Sequence, residues 1–135
     1  MAKYVALLVY PNGKFLPDFK ETSIEKVKED FANMGITWYY YPYIFIVKIP
    51  EEISKNITKP GLFRDAYTGL PRIDLSPEGK FIAKRLSRSK IVDVATPKSL
   101  KFVKGWTVGR AIKKIATENA KLEEGEPLWG RGTYV

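Results

Sequence analysis

Cysteine, histidine and glutamine are all missing from this chain of 135 residues. Without cysteine, the chain has no disulfide framework, no thiolate nucleophile and no cysteine-based metal site. Without histidine, it lacks the commonest general base and the commonest transition-metal ligand. These absences exclude a Ser-His-Asp triad, a Cys-His pair and the usual zinc sites. We therefore predict a non-enzymatic protein with no cofactor, no metal and no small-molecule ligand.

Long apolar runs are also missing. The longest run near the N-terminus, "YVALLVY", is too short to span a bilayer and lacks the features of a signal peptide. We expect an intracellular, cytoplasmic protein with no membrane partner. Only four asparagines accompany the missing glutamine, while Lys, Glu and Pro are plentiful, a composition typical of thermophile proteins.

What is present is enough for a folded core. An apolar share of 44%, including 13% aromatic residues, is typical of a globular chain, and the length suits a single domain over residues 1–135. "KYVALLVYP" reads as a strand closed by the turn pair Asn12-Gly13, with "KFLP" as a hairpin stub. Thr22 and Glu25 have capping-box spacing at the start of a first helix, which Gly35 ends.

The later elements follow from similar signals. Residues 36–49 read as a strand, and residues 50–77 read as an irregular connector rich in Pro and Gly. Ser76 caps a second helix on which Phe81, Ile82 and Leu86 face inward. "KIVDVATP" reads as a strand, Thr107 caps the last helix, and residues 126–135 form an irregular tail.

These elements predict an α+β fold. We expect a small, mainly antiparallel sheet of three to four strands with two or three helices packed on it. The first and last helices are expected to cover one face. By analogy alone, the order of elements would suit a ferredoxin-like arrangement.

The stretch "ITWYYYPYIFIVKIP" has no polar face when it is read with a period of two. It is therefore either buried on both faces or used as an aromatic contact surface. Pro42 cannot donate a ladder hydrogen bond, so it predicts an edge strand or a break. The candidates for base stacking or subunit contact, here and later in the chain, are Tyr39, Tyr41, Tyr43, Trp106 and Trp129.

Basic charge is concentrated in the second half. Residues 1–75 carry ten Lys/Arg and nine Asp/Glu, whereas residues 76–135 carry thirteen and six. Within the basic segment, residues 76–114, Asp93 is the only acid between Gly79 and Lys114. The basic residues there, our candidates for nucleic-acid binding, are Lys80, Lys84, Arg85, Arg88, Lys90, Lys98, Lys101, Lys104, Arg110, Lys113 and Lys114.

The sequence favours a non-catalytic nucleic-acid-binding protein, for DNA or RNA, that self-associates within a nucleoprotein assembly. One alternative is a structural homo-oligomer in which the aromatic strand and the C-terminal tail form subunit contacts. A further alternative is a Mg²⁺-dependent nuclease. Asp65 or Asp74 followed by Glu78-Gly79-Lys80 resembles the Asp…Glu-x-Lys arrangement of restriction-type nucleases, although Glu78 also suits the first turn of a helix. Because the aromatic strand lies in the nearly neutral half, it is better explained as core or subunit contact than as a surface that reads bases.

Overall fold

A computed structural model of the chain describes residues 2–10, 13–32, 43–57, 62–63, 76–95 and 102–120. The strands and helices within those ranges are β1 (Tyr4–Val9), β2 (Phe15–Glu21), α1 (Ile24–Ala32), β3 (Tyr43–Lys48), α2 (Pro77–Ser87), β4 (Ile91–Val94) and α3 (Val108–Ala120). A short 3₁₀ helix, Glu51–Ile53, follows β3.

The four described strands form one sheet in the order β2-β1-β3-β4, and every neighbouring pair is antiparallel. Together with the three helices, this sheet confirms the predicted α+β class with a small antiparallel sheet. The ferredoxin-like arrangement is not confirmed: β1 is followed by a second strand, and the first helix comes only after it.

The hairpin is longer than the predicted stub. β2 extends over seven residues, "FLPDFKE", and pairs with the whole of β1. Pro17, Asp18, Lys20 and Glu21 are poor strand formers, which is why the sequence pattern did not extend the strand this far. Because β2 is an edge strand, Pro17 can be placed where its missing N–H breaks no ladder bond. Cross-strand pairing therefore outweighs local propensity.

Both faces of the central strands are buried. Residues 5–9 and 43–47 are at most 2% exposed, although successive side chains of a strand point to opposite faces. α1 lies over the face that carries Ile46, because Asp93, which pairs with Ile46 across the sheet, forms an ion pair with Lys28 of α1. Residues of α2 and α3 belong to the same hydrophobic core. Both faces of the central strands are therefore covered, and the expectation that the first and last helices share one face stays a prediction.

β3 is an interior strand, hydrogen-bonded to β1 on one side and β4 on the other. The edge-strand interpretation is therefore wrong for Tyr43–Lys48, whereas Pro42 and the rest of the predicted aromatic strand, residues 36–42, lie outside the described residues. A strand with two buried faces needs the continuous apolar run "YIFIV", which is what the sequence supplies. The described part of the aromatic stretch is thus core.

Helix starts follow the predicted chemistry with one change. α1 is capped by Ser23, whose Oγ accepts a hydrogen bond from the Lys26 N–H at 3.1 Å, so the predicted cap at Thr22 is wrong by one residue. Ser76 caps α2 by accepting from Gly79 N–H at 3.1 Å, as predicted. Thr107 caps α3 by accepting from Arg110 N–H at 3.3 Å, also as predicted.

The inward faces of the later helices are mostly as predicted. Ile82 and Leu86 are buried, and so are Val108, Ala111 and Ile115 of α3. Phe81 is the exception on α2, because its side chain is 58% exposed.

Gly13, in the β1–β2 turn, is predicted to be sensitive to replacement. Its φ of +88° is a conformation that L side chains rarely adopt, and an added Cβ would lie 2.9 Å from the Ala116 Cβ of α3. Gly13→Ala is therefore expected to lower the free energy of unfolding by about 2–4 kcal/mol, from backbone strain plus overpacking. Urea unfolding followed by circular dichroism measures this loss.

Gly105 supplies the matched control. It has the same φ of +88°, but nothing lies within 4 Å of an added Cβ. Gly105→Ala is expected to lower the free energy of unfolding by about 1–2 kcal/mol, from backbone strain alone. Equal losses for the two variants would contradict close packing of the hairpin turn against α3.

Candidate nucleic-acid interface

The predicted basic residues follow the path of the chain from α2 through β4 to α3. Lys98 and Lys101 lie outside the described residues. The other predicted residues form two groups. The first group lies on α2 or just after it, and the second group lies on α3 or before it. The first group is Lys80, Lys84, Arg85, Arg88 and Lys90, and the second is Lys104, Arg110, Lys113 and Lys114.

The fold brings the C-terminal end of α2 against the N-terminal end of α3. The Val108 N–H donates to the Ser89 carbonyl oxygen at 2.9 Å, and Lys90 forms an isolated β-bridge with Thr107. At Gly109, an added Cβ would lie 3.2 Å from the Ser87 carbonyl oxygen, so the absence of a side chain permits this close approach. The contact joins the ends of the two helices that carry most of the described basic residues.

Three predicted residues are neutralised by acids within the chain. Arg85 forms an ion pair with Glu52, to which its Nε donates at 2.8 Å. Hydrogen bonds from the Glu52 backbone N–H and from Arg85 lower the pKa of Glu52. Lys104 lies 3.5 Å from Asp93, and Lys114 lies 3.9 Å from Glu118. These three residues offer less charge to a partner than the sequence count implies.

Asp93 is itself neutralised. Lys28 Nζ lies 2.7 Å from its Oδ2, and the Val94 N–H donates to its Oδ1 at 2.8 Å. Burial is the largest single effect and raises the pKa of Asp93. The hydrogen bonds from Lys28 and Val94, together with the charges of Lys28 and Lys104, outweigh burial, so the net effect is a lowered pKa of Asp93. The acid in the basic segment is thus held ionised and shared between α1 and the loop before α3.

Removing the Asp93 charge is expected to destabilise the fold. Because the side chain is 14% exposed and accepts two charged contacts, Asp93→Asn should lower the free energy of unfolding at pH 7 by about 1–3 kcal/mol. A carboxyl with a lowered pKa stabilises the fold above its ordinary pKa of 3.8, and this stabilisation is lost as the pH falls through the lower folded value.

The difference between wild type and Asp93→Asn should therefore be full at pH 7 and shrink below pH 3.8. Urea unfolding of both proteins at pH 7 and pH 3 measures this difference in the free energy of unfolding. The other carboxyls titrate in both proteins, so their contributions cancel in the difference. A difference that stays constant with pH would contradict the ion-pair account.

Five predicted residues are exposed and take part in neither an ion pair nor a cation–π contact among the described residues. We refer to them as the basic surface. They lie along α2, on the turn into β4 and on α3, where no described acid neutralises them. These residues are Lys80, Lys84, Arg88, Lys90 and Lys113.

Two of the five predicted aromatic contact residues, Tyr43 and Trp106, lie within the described ranges. Tyr39, Tyr41 and Trp129 lie outside the described residues. Tyr43 is 0% exposed in the sheet core, so its assignment as a stacking or contact residue is wrong. Trp106 is half-buried, and the guanidinium carbon of Arg110 lies 3.9 Å from its ring centroid, which occupies one face of the indole.

Phe102 was missed by sequence reasoning. Its ring meets Trp106 edge to face, with centroids 5.5 Å apart and planes at 78°, yet the side chain remains 48% exposed. The local signal was the segment "KFVKGW", in which an aromatic pair four residues apart is interleaved with lysines. We refer to Phe102, Trp106 and Arg110 as the aromatic ledge.

A groove of about 870 Å³ opens at the end of the sheet where β1 and β4 begin and β3 ends. Among the described residues, its lining includes three lysines, Lys3, Lys48 and Lys90, and one acid, Glu51. Antiparallel pairing of Tyr4 with Lys48, and the 2.8 Å bond from Ile49 N–H to the Lys3 carbonyl oxygen, bring the first two lysines to the same end. Sequence reasoning missed Lys3 and Lys48, because their proximity to Lys90 arises only from strand pairing.

Backbone hydrogen bonds connect the segment that carries the aromatic ledge to the strand that borders the groove. The Ile91 N–H donates to the Trp106 carbonyl oxygen at 2.8 Å, and the Gly105 N–H donates to the Ile91 carbonyl oxygen, also at 2.8 Å. These bonds place the Trp106 backbone beside Lys90, the lysine that belongs both to the groove and to the basic surface.

Within the described ranges, no helix combines the length and the apolar content that crossing a membrane requires. The same residues include no cluster of three or more potential metal ligands. Glu78 lies in the first turn of α2, whereas Asp65 and Asp74 lie outside the described residues. Comparison with protein-family models, curated proteins and solved structures gave no match to this chain.

Proposed function

We propose that this protein binds nucleic acid without catalysing a reaction, and that it contacts phosphates through the basic surface. The observation that carries the proposal is the unbalanced charge of that surface. Its five cations have no acidic ion-pair partner among the described residues, and Asp93, the one acid between Gly79 and Lys114, is held by Lys28 and Lys104. The most abundant intracellular polyanion is nucleic acid.

The arrangement of the cations supports phosphate contacts more than a solvated lysine coat. Lys80, Lys84 and Arg88 are spaced four residues apart and are all exposed, so they follow one side of α2. The end of this row meets the start of α3, because the Val108 N–H donates a hydrogen bond to the Ser89 carbonyl oxygen. A row of cations on a rigid scaffold can follow a phosphate backbone, whereas isolated lysines cannot.

Counterion release gives the proposal a quantitative form. Each phosphate neutralised contributes about −0.9 to the slope of log K against log salt for duplex DNA, and about −0.7 for a single strand. If all five residues contact phosphates, the slope should lie at about −3 to −5. Fluorescence anisotropy with labelled single- and double-stranded 20-mers over a salt series measures it. Absence of binding to either at low salt would overturn the proposal and favour a solvated surface.

A further inference from the structure

The sheet-end groove and the aromatic ledge together suggest which form of nucleic acid binds. In a duplex the bases are paired and stacked, so flat aromatic side chains have no exposed base face to contact. A single strand offers both phosphates and base faces, and proteins that bind it combine a cationic groove with aromatic stacking platforms. This protein has both features.

The groove has the charge and size for a phosphate backbone. Lys3, Lys48 and Lys90 reach it from three chain segments, against one acid, Glu51, among the described lining residues. Its volume of about 870 Å³ lies near the upper end for sites that hold a whole small ligand, and its position at the end of the sheet leaves it open to solvent. It can therefore hold part of a chain that continues beyond it.

The ledge has one ring that is exposed and one that supports it. Arg110 lies against one face of Trp106, and Phe102 meets Trp106 edge to face, so the indole fixes the position of both neighbours. Phe102 keeps 48% of its surface exposed, and the backbone of its ring partner Trp106 lies beside Lys90 of the groove. Exposed aromatic surface in such a setting is suited to a base.

We infer that the groove and ledge form a binding site for single-stranded nucleic acid, in which lysines of the groove contact phosphates and Phe102 stacks on a base. This inference rests on the proposed function and deepens it, since it names the form of the partner. Lys90 connects the site to the basic surface. Whether the strand is DNA or RNA is decided by the test.

The test compares Phe102→Ala with wild type in anisotropy titrations against single-stranded DNA, single-stranded RNA and a duplex of equal length. Loss of one stacked base should weaken single-strand binding about 5- to 150-fold and leave duplex binding unchanged. Phe102→Leu, which keeps apolar packing against Trp106, should lose affinity in the same way because it lacks a flat ring. Lys48→Gln should reduce the single-strand salt slope by about 0.7.

Phe81→Ala is the matched control, since Phe81 is a second exposed phenylalanine, 58% exposed on α2. It should leave single-strand affinity unchanged. Equal affinity of wild type for single strand and duplex, or unchanged single-strand affinity of both Phe102 variants, would overturn this inference and leave the proposed function standing. No binding to any of the three nucleic acids would overturn both.

Discussion

Reversal of three charges on the basic surface, Lys84→Glu, Arg88→Glu and Lys113→Glu together, is expected to weaken nucleic-acid binding at least about 100-fold at 0.1 M salt. Each lost phosphate contact removes about 0.9 from the salt slope for a duplex, which amounts to roughly eightfold at that salt concentration. The three residues are exposed and have no ion-pair partner among the described residues. Anisotropy titrations against single- and double-stranded 20-mers measure the loss, and circular dichroism checks the fold.

The control for this variant changes the same charge elsewhere. Lys26 is exposed on α1, where it pairs with Glu29 and Asp30. Lys26→Glu should weaken binding by less than about threefold, whereas Lys84→Glu alone should weaken it by about eightfold or more. Comparable losses at the two sites would show that net charge, and not the basic surface, governs binding.

Phe45→Ala is expected to have the largest effect on stability, lowering the free energy of unfolding by about 3–5 kcal/mol. The side chain is 0% exposed on an interior strand, between Leu7 of β1 and Val94 of β4. Its removal leaves a cavity that the sheet and its covering helices cannot fill completely. Guanidinium unfolding at 25 °C measures the loss.

Phe81→Ala removes the same atoms from an exposed position and should cost less than about 0.5 kcal/mol. A loss below about 1 kcal/mol for Phe45→Ala would contradict the assignment of β3 to the core. It would also return the segment "YIFIV" to consideration as a contact surface.

Much of the fold follows from local signals. Ser76 and Thr107 cap their helices as the sequence indicates, and the apolar faces of α2 and α3 follow helical periodicity. Ser23 replaces Thr22 as the first cap although only Thr22 is followed by a glutamate three residues later, because both hydroxyl residues suit an N-cap and the Lys26 N–H donates to Ser23 Oγ. β2 could not be predicted in full, since Pro17 and Asp18 disfavour a strand until β1 supplies the ladder.

The residues of the basic segment could be predicted from the sequence, but their spatial arrangement could not. The basic segment is visible in the sequence, but the pairing of Lys104 with Asp93 and of Arg85 with Glu52 depends on contacts between distant segments. The groove likewise needs the pairing of β1 with β3 to bring Lys3 and Lys48 together. Long-range contacts of this kind leave no periodic signal in a single sequence.

The expected self-association stays a prediction. The residues proposed to carry it, in the aromatic strand before Tyr43 and in the tail over residues 126–135, lie outside the described residues. Light scattering of the purified protein measures the oligomeric state directly, independently of nucleic-acid binding.

The measurement that tests the central claim most directly is a ¹⁵N-HSQC titration of the protein with a 20-mer oligonucleotide at low salt. The account predicts that amide shifts concentrate in residues 80–90 and 102–114, with smaller changes at Lys3 and Lys48. Amides of α1 and β2 away from these segments should remain in place. Shifts confined to α1 and β2, or no shifts at all, would contradict it.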